Sequence, residues 1–120
     1  MPVTIARPRS LRGEIIAPGD KSVSHRAIMF NALSNTGTAR VTNFSPGADC
    51  TSTVEIMRAL GVEITREAGA KGMGDSLNVK GVGLRGLQEP ADILDAGNSG
   101  TTTRLMSGIL AGQDMLAILT

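Results

Sequence analysis

Pro18-Gly19-Asp20-Lys21-Ser22-Val23-Ser24-His25-Arg26 and, far downstream, Ala96-Gly97-Asn98-Ser99-Gly100-Thr101-Thr102-Thr103-Arg104 repeat one pattern. Each puts an arginine seven residues after a glycine, across small hydroxyl-bearing or glycine residues, and then runs into a helix-compatible apolar segment. A strand that ends in glycine and small polar residues before a helix leaves free backbone N–H groups at the positive end of the helix dipole, where they attract anions. Ser22 and Arg26 are four residues apart, as are Gly100 and Arg104, so each pair shares a helix face at its first turns. The pattern points to a doubly anionic small molecule held between two helix ends.

Outward from these stretches, Thr4 to Ala6 and Leu11 to Ala17 read as short extended segments, with Pro18-Gly19 as the break. Asp20 or Ser22 caps a helix running to about Ser34, whose apolar residues surround the axis almost completely, so it is expected to be buried along its length. Asn35-Thr36-Gly37 ends it, and Thr38 to Phe44 alternates like a strand. Asp49 reads as the N-cap of an amphipathic helix to about Leu60, with Cys50, Val54 and Met57 on one face. Val62 to Arg66 and Ser76 to Val82 read as a hairpin around a glycine-rich turn. A short strand near Ile93 and Leu94, a helix from about Ser99 to Ala111 and a strand from Met115 to Leu119 complete the chain. A second copy of the same unit begins and stops there. The chain therefore reads as a piece of a longer protein, or as one that pairs with another chain.

Composition narrows the partners. Twelve Lys and Arg against eleven Asp and Glu leave a net charge of +1, so no bulk field favours nucleic acid or a membrane surface. Two phenylalanines, with no tyrosine or tryptophan, remove the stacking platforms of single-stranded nucleic acid sites. One cysteine, Cys50, excludes an internal disulfide and a cysteine-based zinc site, and its place on an apolar helix face makes it a core residue. No apolar run is long enough to span a bilayer, and the default location is the cytosol. Asp49 and Asp95 read as a cap and a structural hydrogen-bond acceptor, and the Gly69 to Gly74 stretch as a turn lacking the pattern of a P-loop. His25 titrates near neutrality but lacks a sequence-local partner, which makes it an orienting or packing residue.

The two motifs, in this order and spacing, closely resemble those of the 3-phosphoshikimate 1-carboxyvinyltransferases, also called 5-enolpyruvylshikimate-3-phosphate synthases. Asn43 to Gly61, with Asp49 and Thr51 ahead of Arg58-Ala59-Leu60-Gly61, is similar to that family's second helix. The resemblance implies an α/β (α+β) fold of βαβαββ repeat units, part of a two-domain inside-out barrel, with about one and a half units present. Residues 1–20 would be N-terminal strands and hinge belonging to the other domain, and residues 21–120 a partial domain holding the first unit and the start of the second. Buried parallel helices would aim their N-termini at the cleft between domains.

The implied activity transfers the enolpyruvyl group of phosphoenolpyruvate to the 5-hydroxyl of shikimate 3-phosphate with release of phosphate, in the shikimate pathway of aromatic amino-acid biosynthesis, with no metal or organic cofactor. The family is the target of the herbicide glyphosate. By resemblance Lys21 is catalytic and contacts both substrates, Ser22 and Arg26 bind shikimate 3-phosphate, and Gly100, Asn98 and Thr101 bind phosphoenolpyruvate. Arg104 either touches ligand or braces the site through an ion pair. Thr103 stands where the family often has an aliphatic residue. The family's general acid and base, its second lysine and further arginines come from later sequence, so the isolated chain is expected to be inactive, its partner being the remainder of its own polypeptide, a monomer at full length. Short-motif reasoning alone leaves other readings of these residues: an ordinary capped helix start at Lys21 to Arg26, and a small packing residue at Gly100. The rival functions are a UDP-N-acetylglucosamine enolpyruvyl transferase, which characteristically has asparagine where this chain has Ser22, an RNA 3'-phosphate cyclase, and a non-catalytic anion-binding module.

Overall fold

Asp20 starts the first helix. Its carboxylate accepts a 2.7 Å hydrogen bond from the Val23 amide and caps α1, Lys21–Ala32. The computed structural model describes every residue except Thr36, which falls in the turn expected after this helix. Strand β1 (Thr38–Phe44), helix α2 (Ala48–Ala59), strands β2 (Ile64–Glu67) and β3 (Asp75–Lys80) and helix α3 (Gly100–Ala111) follow. From α1 through α3 the helices and the three sheet strands come in the expected order, but the strand expected near Ile93 and Leu94 is only a bridge at Leu94.

The sheet has the order β1-β3-β2, with β3 antiparallel to both neighbours. Ile64 faces Val79 and Glu67 faces Ser76 across the predicted hairpin. Strands β1 and β2 therefore run parallel to each other, joined by the α2 crossover. Helix α1 packs on β1 and β3, α2 on α1, and α3 on α2. Ile28, Met29 and Ala32 of α1, Cys50, Val54 and Met57 of α2, Leu77 and Val79 of β3 and Met106 of α3 make the core. Burying these side chains is the main force that seats three helix starts in one cluster.

Four expectations are corrected. Helix α1 is not buried along its length: Val23 is 56% and Phe30 69% exposed, because β1, β3 and α2 cover one side of it. Residues 4–6 and 11–17 form no strand; residues 1–18 are exposed, with no sheet edge among the described residues to take their backbone hydrogen bonds. The strand expected at Met115 to Leu119 is reduced to a single parallel bridge, Leu94 to Leu119. Its alternation survives, with Met115, Ala117 and Leu119 against the core and Leu116 and Ile118 exposed. Asp49 is not a cap: Gly47 takes that position without a side-chain bond, and Asp49 lies in the first turn.

One junction fixes how the chain enters α1. Asn43 adopts a left-handed backbone (φ 52°), accepts from the Gly74 amide at 2.8 Å and donates to the Ala17 carbonyl at 3.1 Å. Gly19 passes so close to the Asn43 carbonyl that a Cβ would overlap it, which explains the glycine ahead of the helix cap.

Candidate functional site

Both motifs start helices, and both starts are tied to the first turns of α2. On α1, the Lys21 ammonium pairs with the Asp49 carboxylate, and the Lys21 carbonyl accepts from Cys50 Sγ at 3.5 Å. The pair holds the Lys21 ammonium above its ordinary pKa and the Asp49 carboxyl below its own, their mutual hydrogen bond being the main cause in each case. On α3, Ser99 caps the helix by accepting from the Thr102 amide at 3.1 Å, and the Thr102 hydroxyl donates to the Asp49 carbonyl at 3.3 Å. Residues 49–53 of α2 thus bridge the two motifs.

What remains free is suited to anions. Ser22, Arg26, Asn98, Gly100, Thr101 and Arg104 are exposed. Arg26 and Arg104 enter no ion pair among the described residues. The amides of Gly100 and Thr101 have no intrachain acceptor there either, as expected of the first positions of a helix. A Cβ built on Gly100 meets nothing within 4 Å, so no packing partner in this chain requires a glycine at that position. Lys21 keeps 55% of its side chain exposed despite its partner.

Beneath this surface lies a buried polar chain that the sequence reading missed. His25 Nδ1 is 2.7 Å from Thr53 Oγ1, which is 2.9 Å from Thr102 Oγ1, which is 2.6 Å from Ser99 Oγ. The available signal was Thr53 itself, a polar residue among Cys50, Val54 and Met57 on the buried face of α2. Asp95 is the structural acceptor expected, its carboxylate taking the Gly97 amide at 2.7 Å. Burial lowers the His25 pKa, Lys21 lowers it further and Asp49 opposes both, while burial raises that of the Cys50 thiol.

A family model described as EPSP synthase (3-phosphoshikimate 1-carboxyvinyltransferase) matches residues 5–120. The chain belongs to this family. The 3-phosphoshikimate 1-carboxyvinyltransferase of Chloroflexus aurantiacus is 54% identical over 118 residues, covering 98% of this chain and 26% of the relative. That of Herpetosiphon aurantiacus is 52% identical over 120 residues, covering 100% and 26%. The structure of EPSP synthase from Acinetobacter baumannii superposes with a TM-score of 0.74 at 44% identity, covering 88% of this chain and 23% of that one. The chain thus spans about a quarter of the length of the EPSP synthases it matches, and its mixed helix and sheet architecture is theirs.

Proposed function

We propose that this chain supplies one wall of the substrate cleft of a cytoplasmic enzyme that moves the enolpyruvyl group of phosphoenolpyruvate to the 5-hydroxyl of shikimate 3-phosphate. The rest of its own polypeptide supplies the other wall. The observation that carries the reading is the convergence of two helix starts, each with an arginine in no ion pair among the described residues, on the first turns of α2. In the addition step the 5-hydroxyl gives up its proton as its oxygen bonds to C2 of phosphoenolpyruvate, and the methylene carbon of phosphoenolpyruvate gains a proton to become methyl. In the elimination step the C2 bond to phosphate oxygen breaks and the methyl group gives a proton back. The substrates' phosphate and carboxylate groups are anionic throughout, and the phosphate gains further charge as it leaves, so fixed cations and amide dipoles hold the reactants and stabilise that departure at little cost in reorganisation.

Lys21, with its compact point charge, serves both substrates; Ser22 and Arg26 take shikimate 3-phosphate, Arg26 by two-point contact. Gly100, with the open space over its Cα, lets phosphoenolpyruvate approach the backbone, and Asn98 and Thr101 flank it. Arg104, unpaired among the described residues, is free for the same anion. No residue of this chain is assigned to the proton transfers, and the chain alone does not turn over. Titration calorimetry of the 120-residue chain with shikimate 3-phosphate tests the assignment: Lys21→Ala is expected to weaken binding about ten- to a hundredfold, the cost of a lost charge-assisted hydrogen bond. Equal binding by parent and variant, or turnover by the parent chain, would overturn it; no binding by the folded parent assigns recognition to the remaining sequence.

A further inference from the structure

His25 is the one histidine in the sequence and is fully buried, as are Thr53 and Thr102; Ser99 is 1% exposed. The proton positions in this cluster follow from one fact. The Asp49 carbonyl can only accept, so its 3.3 Å contact is the one of fixed direction in the cluster, and taken as a hydrogen bond it uses the single proton of the Thr102 hydroxyl. Thr102 can then only accept from Thr53 and from Ser99. Thr53, having given its proton to Thr102, must accept from the imidazole. Nδ1 of His25 therefore carries the ring proton, and Nε2 is a bare nitrogen with no hydrogen-bond partner among the described residues.

We propose that His25 is a positioning residue. Held as a neutral Nδ1–H imidazole, it ties α1 through Thr53 to α2 and through Thr102 and Ser99 to the cap of α3, and so sets the distance between Lys21 and Gly100. This rests on the reading of those two helix starts as one anion site. The groups facing the ring are consistent with a fixed neutral form. Lys21 on its own helix opposes a positive charge and Asp49 on α2 favours one, while α3 meets the cluster through the Thr102 and Ser99 hydroxyls. A second proton on Nε2 would have to be buried without an acceptor. The ring is thus excluded from acid-base work by the same contacts that make it a strut.

With a single histidine, nitrogen-15 spectra of the 120-residue chain read the tautomer without assignment ambiguity. The expected result is a pyrrole-type shift at Nδ1 and a pyridine-type shift at Nε2 through neutral pH, the reverse of the form that dominates a free imidazole. Thr53→Val should release the ring to the Nε2–H form and shift the backbone amide signals of both Lys21 and Gly100; Thr53→Ser should restore the tautomer and the signals. An Nε2–H or averaged ring in the parent would overturn the proposal. So would a Thr53→Val chain in which only the neighbours of Thr53 respond. Should Thr53→Val fail to fold, the parent tautomer and the Thr53→Ser spectrum still decide. None of these readouts uses a ligand, so a failure to bind shikimate 3-phosphate with the tautomer intact counts against the anion site and not against the strut.

Discussion

Lys21 is the residue proposed to serve both substrates, and in the free chain its ammonium already has a partner in Asp49. An arriving phosphate or carboxylate must compete with that carboxylate, so the ion pair parks the lysine in place and weakens its attraction for ligand at the same time. Asp49→Asn is expected to raise the affinity of the chain for inorganic phosphate about two- to fivefold, the range of an exposed pair, and calorimetry checks it. The sign of the pH effect follows from the shifts. The Asp49 carboxyl is depressed in the folded chain, so its contribution to stability is present above the unfolded-state value and fades as pH falls through the folded one. Lys21 is raised, so its contribution is present below its unfolded-state value and is lost as pH rises through the folded one. The acid limb should therefore be shallower in Asp49→Asn, and unchanged phosphate affinity together with an unchanged acid limb would show that the pair is idle.

Helix α3 separates what a sequence can say about an element from what it cannot. Its start was legible because Ser99 caps its own helix three residues on, a contact local enough to leave a sequence signature; Asp20 and α1 are the same case. Asp49 looked like a third cap because it has the right residue type near the right place, yet its carboxylate turns to Lys21, a partner no local pattern announces. The Thr53 to Thr102 bond spans 49 residues and joins two helices, so periodicity could mark each threonine as facing inward but could not pair them. Gly100 in a helix calls for an explanation, and within this chain the structure removes packing as one, since no described atom beyond its neighbours and its own helix backbone lies within 4 Å of its missing Cβ. Gly100→Ala should thus leave thermal unfolding of the chain unchanged or stabilise it by up to about 1 kcal/mol, alanine being the better helix former. In the complete polypeptide the same methyl should weaken phosphoenolpyruvate binding about ten- to a hundredfold. Loss of stability with no loss of affinity would return Gly100 to a packing role.

For the whole molecule, the radius of gyration of 17.4 Å exceeds the roughly 14 Å expected of a compact chain of this length. The excess belongs to the N-terminal arm, where Val3, Ile5, Leu11 and Ile15 are all more than four-fifths exposed while the helices and sheet behind them share one core. Such apolar, alternating segments are strand-like in sequence but can be strands only beside a sheet edge that the described residues do not offer. If residues 1–20 form strands of the other domain of the complete protein, as the family resemblance implies, the arm contributes nothing to the stability of residues 21–120. Deleting residues 1–16 keeps the Ala17 carbonyl on Asn43, Gly19 against β1 and the Asp20 cap, so every contact that orients α1 survives. The thermal midpoint of the shortened chain should then fall by less than about 3 °C, the size of a surface change in a domain this small. Self-association should decrease as the exposed isoleucines and leucine leave. A fall of ten degrees or so would mean that the arm packs on the same core and that the division near residue 20 is misplaced.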